Sequence, residues 1–207
     1  MGQFNGILAL GSVGVVLGAC APDGDPFADN VVSYELGEGS GFGQETIEEH
    51  VLGAPHGGGN AGSLHVVSLG RGGHIILEFT DQLAQDGPGP DLLIFENPFT
   101  NWYETGVVAV SQDGEEWAEW SCDAENDTAM FPGCAGVELV WTHPDNHIDP
   151  TDLSEAGGDA FDLATLGLDW VRFVRITDSG LNTYDGETGG FDLDAIAVIN
   201  PVHVDAL

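Results

Sequence analysis

Two aspartates two residues apart sit in the last apolar run of the chain. In GGFDLDAIAVIN, strict strand alternation puts Phe191, Leu193, Ala195, Ala197 and Ile199 on one face and Asp192 and Asp194 on the other. Carboxylates spaced this way stand about 7 Å apart and repel each other. A cation beside or between them removes that cost, and calcium, a hard ion that takes oxygen ligands, is the one this chemistry predicts. Asp91, Glu96, Asp159 and Asp162 extend the set, because they stand beside Gly-rich turns where backbone carbonyls come free to complete an oxygen shell. Each of these four can also be read as the cap of a turn or short helix. No D-x-[DN]-x-[DN]-G loop is present.

The charge balance makes a bound cation the natural partner. Three Lys+Arg face 35 Asp+Glu, a net charge of -32, and all three cations are arginines: Arg71, Arg172 and Arg175. Such a field repels phosphate backbones and anionic lipid surfaces, which excludes nucleic-acid binding through a basic patch. It also fits a saline exterior, where acidity serves solubility. The run Asp86 to Phe99, DGPGPDLLIFENPF, concentrates the problem. Gly87 to Pro90 cannot continue a regular element, so Leu92 to Phe95 is expected to be a buried strand with a carboxylate at each lip, Asp91 and Glu96. Burying those groups costs desolvation unless a positive or hydrogen-bonding partner meets them.

Other chemistry is sparser. Trp102 and Tyr103 follow in TNWYE, a stretch too polar for core, and an exposed aromatic loop there could stack on a sugar face or fold back over the domain edge. Cys122 and Cys134 bracket a short polar loop, and in an exported protein they are expected to form a disulfide worth up to roughly 3 kcal/mol. The seven histidines are scattered, and THPDNHIDP breaks any helix that would present His143 and His147 to zinc. No G-x-S-x-G elbow occurs, and a carboxylate pair picked from 35 acids nominates no glycosidase. An enzyme is therefore not expected.

The elements that must position these groups are short strands joined by turns. Thirty-one glycines, ten prolines and weak helical periodicity predict an all-β protein. Strands are expected at 31–34, 64–69, 74–79, 92–95, 106–111, 116–121, 137–141, 170–177 and 192–199. Short helical turns are expected at 45–51 and 162–168. Gly70 to Gly73 and Gln112 to Gly114 read as hairpin connections. Before these, residues 1–19 carry no ionisable side chain and end in Leu17-Gly18-Ala19-Cys20, which resembles a bacterial lipoprotein signal with its lipobox. The usual basic residue near the start is missing. The resemblance implies lipidation at Cys20. Ala21 in place of Asp after that Cys points to an outer-membrane or cell-surface position. Residues 20–30 read as a flexible tether, and residues 31–202 as one domain.

The order of VSLGRGGHIILEF, VVAVSQDGEEWAEW, WVRFVRITDSG and GGFDLDAIAVIN resembles discoidin-type, galactose-binding-like β-sandwiches. DLLIFENPF and GGDAFDLATLGL depart from discoidin domains and are similar to bacterial cell-surface lipoproteins of unassigned activity. The resemblance implies a single jelly-roll antiparallel sandwich, often with a structural calcium where the last strand meets an early loop. The expected protein is an exported, lipid-anchored, calcium-stabilised binding module for a glycan or surface polymer, touching the membrane only through its anchor. The alternative is a structural or adhesive envelope protein with no small ligand; a glycan-active enzyme stands third.

Overall fold

The computed structural model describes residues 24–182 and 189–206. The expected signal at 1–19 and the lipidation site Cys20 lie outside the described residues.

Glycine-rich turns cut the chain into short antiparallel strands, here β1 (Asn30–Glu35), β2 (Val67–Ser68), β3 (His74–Glu78), β4 (Gln82–Gln85), β5 (Leu92–Phe95), β6 (Gly106–Ser111) and β7 (Ala118–Glu119). They continue with β8 (Asp159–Phe161), β9 (Trp170–Val171), β10 (Phe173–Asp178), β11 (Asp192–Leu193), β12 (Ala195–Val198) and β13 (Pro201–His203). One short α-helix, α1 (Ile47–Val51), joins them. The architecture is all-β and antiparallel. The strands form a sheet in the order β1-β3-β10-β6-β7 and smaller sheets β12-β5-β8, β13-β4-β9 and β11-β2. No helix among the described residues is long and apolar enough to cross a membrane.

Period-two patterning builds the large sheet. In β3 and β10, burial alternates residue by residue. Registry then aligns the inward side chains into rows, Ile75 beside Ile176 beside Val108, and Leu77 beside Val174 beside Val110. These rows meet Leu83 of β4, Leu92 and Ile94 of β5, and Ile196 and Val198 of β12 in one core. Each such side chain withdraws enough apolar surface to contribute about 1.5–3 kcal/mol. β5 is buried on both faces, since Leu93 and Phe95 point into a second cluster with Phe27, Val140, Ala156, Ala195 and Ala197. That two-sided burial explains its unbroken apolar run LLIF.

Several expectations change. The strand Asp192 to Ile199 is not continuous: β11 pairs with β2, β12 pairs with β5, and the break falls at Asp194. Phe191 and Leu193 share the main core with Ile196 and Val198, whereas Ala195 and Ala197 face the second cluster, so the alternation slips by one residue. The Gly70–Gly73 turn forms, with Gly73 N–H donating to the Gly70 carbonyl, but the flanking strands enter different sheets and make no hairpin. Residues 137–141 form no strand beyond an isolated bridge from Val140 to Gly157, because the Val137 and Glu138 N–H groups are taken by the Asp159 carboxylate. The expected tether ends earlier than Asn30. Phe27 and Ala28 are buried, and the Pro26 carbonyl accepts from Val198 N–H. The Cys122–Cys134 disulfide is present. It staples the loop after β7.

Candidate functional site

The connection between β5 and β6 forms one side of a pocket. It leaves β5 at Glu96, turns over Phe99 to Trp102, and re-enters the sheet at Glu104 and Thr105. The turn closes by Trp102 N–H donating to the Phe99 carbonyl at 2.9 Å, and Asn101 takes a left-handed conformation at φ 64°. Asn tolerates that region better than most residues, which suits the sequence TNW to a tight reversal. Across from it Gly62, at φ 66°, lies so close to Phe99 and the Asn97 side chain that an added Cβ would sit 2.6 Å from Asn97 Oδ1. Ser63 N–H donates to that same oxygen and seals the two loops together.

The result is a cavity of about 400 Å³ walled by Phe42, Leu64, Val66, Phe99 and Trp102, with Glu104 and Asp192 among its lining residues. Leu64, Phe99 and Trp102 remain 77%, 41% and 46% exposed, so apolar surface faces solvent around the opening. Such a patch over polar groups is what a ligand or partner site presents. Tyr103, adjacent in sequence, turns away into a neighbouring depression beside Phe131, with ring centroids 5.6 Å apart. Trp102 borders both depressions.

Below the aromatic wall, one carboxylate oxygen each from Glu96, Glu104 and Asp192 lie within 4.8 Å of one another, all three residues buried. Asp192 accepts from the Ser68 hydroxyl across the β2–β11 pair. Its N–H reaches Glu96 Oε1 at 3.4 Å. Glu104 accepts from the Trp102 indole and from Gly190 N–H. Glu96 Oε2 and Glu104 Oε1 are buried with no hydrogen-bond partner. Burial first, then the neighbouring Asp192 charge, pushes the Glu104 carboxyl up to about 8. Burial raises Asp192 to about 7, with the Ser68 hydrogen bond opposing it, and burial together with Asp192 and Glu104 drives Glu96 well above the ordinary range. Three carboxylates offer the oxygen-only donor set that calcium takes.

The six acids singled out in the sequence do not share one centre. Asp192 and Glu96 join Glu104. Asp194 goes elsewhere, to a group with His56 and His65, because the slip at Asp194 sends consecutive carboxylates to different sides. One carboxylate oxygen each from Asp91, Asp162 and the exposed Asp86 lie within 4.8 Å of one another, and both oxygens of Asp91 are hydrogen-bonded. Asp91 accepts from Gly87 N–H, Leu163 N–H and the Asn200 amide, each at 2.8 Å, and Asp162 caps the following turn through Ala164 N–H. Asp159 lies apart and gathers the N–H groups of Gly136, Val137 and Glu138. Asp91 and Asp159 thus tie segments distant in sequence together, and Asp162 caps the turn that follows it.

Sequence reading missed Glu104, although it directly follows the TNWY aromatics, and it dispersed the histidines that the fold collects. Arg175 pairs with Glu119 at 3.7 Å and lies over the Trp117 ring, as an ion-paired arginine should. The Arg172 Nε is buried without a hydrogen-bond partner. No protein-family model, curated protein or solved structure matches the chain.

Proposed function

We propose that this protein is an exported, lipid-anchored binding module at the outer membrane or cell surface, built on a galactose-binding-like jelly roll. In this reading Glu96, Glu104 and Asp192 hold a calcium ion below a pocket that takes a glycan or surface polymer. One observation carries it: three buried carboxyls converge under an exposed aromatic wall, and two of them keep an oxygen with no hydrogen-bond partner among the described residues. A buried polar atom left without a partner costs about 1–3 kcal/mol, more when charged. An ion of opposite charge removes that cost and supplies affinity from the same atoms. Trp102 and Phe99 then offer flat apolar faces on which a pyranose ring can stack.

Calorimetry on the metal-stripped protein tests the ion, with one calcium bound and a raised melting temperature expected. Glu104→Gln should lose both. A glycan array read with calcium and with chelator tests the ligand; binding lost on chelation and in Trp102→Ala supports the reading. Silence across sugars with calcium still bound favours a structural or adhesive envelope protein. A second reading, a glycan-active enzyme, draws on the proximity of Glu104 and Asp192, two acids held near neutrality in one pocket. Release of reducing sugar by the wild type but not by Glu104→Gln would establish it.

A further inference from the structure

We infer that His56, His65 and Asp194 form a second cation site, selective for a divalent transition-metal ion of the zinc class and separate from the carboxylate group beneath the pocket. One ring nitrogen from each histidine and one Asp194 oxygen lie within 4.8 Å of one another. The fold sets the connection between α1 and β2, which carries both histidines, against the junction of β11 and β12. His56 stands in the loop after α1, His65 in the approach to β2, and Asp194 between β11 and β12.

The arrangement is half-satisfied in a way that points to a metal. Asp194 is 1% exposed, and its Oδ2 accepts from His56 N–H at 2.8 Å, which fixes the carboxylate. Its Oδ1 is buried with no hydrogen-bond partner, and so are His56 Nδ1, His65 Nδ1 and His50 Nδ1. His65 Nδ1 stands 3.7 Å from Asp194 Oδ1, beyond hydrogen-bond reach. Ligation takes the neutral imidazole and the carboxylate, so a bound metal displaces any proton these groups hold.

Donor type sets the ion. Imidazole nitrogens suit zinc and its neighbours, whereas calcium takes oxygen. Zinc bonds of about 2.0–2.1 Å require donors roughly 3.3 Å apart in a tetrahedron, so the ligands draw in by up to roughly 1.5 Å. Ring rotation of two loop histidines supplies that movement. The His56 and His65 rings already lie together, centroids 3.7 Å apart. His50, 4.6 Å from His65 with its Nδ1 unpartnered, is the nearest fourth ligand. His143, also beside His56, is occupied through its Nδ1 by Asp145 N–H. A bound ion would clamp the segment that carries Ser63 and Leu64, one wall of the pocket, to the last strands.

The test uses the untagged full chain, stripped with chelator and titrated with zinc in a calorimeter, with bound metal counted by mass spectrometry. One equivalent is expected at micromolar zinc. His65→Gln and Asp194→Asn should each weaken binding at least about tenfold, since even outer-shell changes at metal sites cost that much. Glu104→Gln and His147→Ala should leave it unchanged, which separates this site from the calcium group. Imidazole nitrogen resonances read by NMR in the unaltered chain make the result independent of variant folding: His56 and His65 should shift on zinc addition. Absence of micromolar binding, binding indifferent to both substitutions, or shifts confined to other histidines would overturn the assignment.

Discussion

Asp159 and Glu104 are both buried acids on the edge of the same core, and burial raises both, to about 7 and about 8. Three backbone N–H groups converge on Asp159 and occupy both its oxygens. Glu104 has donors from Trp102 and Gly190 yet keeps Oε1 unpartnered, with Asp192 and Glu96 crowding the same space. The first carboxylate is consumed in holding a loop. The second is surplus to the fold. Burial of charge therefore does not mark a site in this protein; what marks it is acceptor capacity that the surrounding donors leave unused.

The comparison breaks first at Asp159. Replacing it with Ala strands three N–H groups in the interior, and at about 1–3 kcal/mol per orphaned group the loss should reach at least about 3 kcal/mol. Urea unfolding measures it, and the loss should be the same with and without calcium. Glu104→Gln should behave oppositely. It removes one of three crowded acids while conserving shape, so the metal-free protein at pH 8 should gain on the order of 1 kcal/mol while losing the calcium-dependent rise in melting temperature. A destabilised metal-free Glu104→Gln would place Glu104 in the same class as Asp159.

Much of this frame is legible in the sequence, and the reason differs from place to place. Leu92–Phe95 and Gly106–Ser111 emerge with their bounds intact because turn residues flank each run and β-branched or aliphatic side chains fill it. β4, β8 and β13 are only three or four residues long, and their strand character comes from the partner they meet rather than from their own pattern. The acids are the harder case. Spacing identified Asp192 and Asp194 as a pair, but a one-residue slip at Asp194 separated them, and alternation cannot foresee a slip imposed by a change of pairing partner. The His56–His65–Asp194 group lies further out of reach, since nothing local links residue 56 to residue 194.

The pH dependence of stability, measured with and without calcium, tests the carboxylate group, since Asp159 is raised in the same direction but is not expected to respond to the ion. Glu104, Asp192 and Asp194 have folded-state pKa values of about 8, about 7 and about 8, so between the ordinary carboxylate range and those values the folded chain binds protons that the unfolded chain has released. Stability of the metal-free protein must then fall as pH rises from about 6 to about 8.5. His56 and His65, lowered chiefly by burial, act the other way and remove stability as pH drops below the ordinary histidine value. Melting temperatures with calcium should fall less steeply over the upper range, because the ion takes the place of the protons. Equal slopes with and without calcium would mean that the carboxylate group holds no ion.

The smallest effect expected is at Trp102, where the indole both walls the pocket and donates to Glu104. Trp102→Phe keeps a flat ring and drops the N–H, while Trp102→Ala drops both. A side chain 46% exposed contributes little to the fold, so Trp102→Phe should move stability by no more than about 0.5 kcal/mol. Removing a donor that favours ionised Glu104 should push the carboxyl higher still and weaken calcium at neutral pH, by about threefold for a hydrogen bond worth roughly 0.7 kcal/mol. Glycan binding at saturating calcium should survive in Trp102→Phe and fail in Trp102→Ala if stacking carries the ligand. Loss in both variants would instead make the Trp102–Glu104 hydrogen bond the element that shapes the pocket, and the ion beneath it the main determinant of what binds.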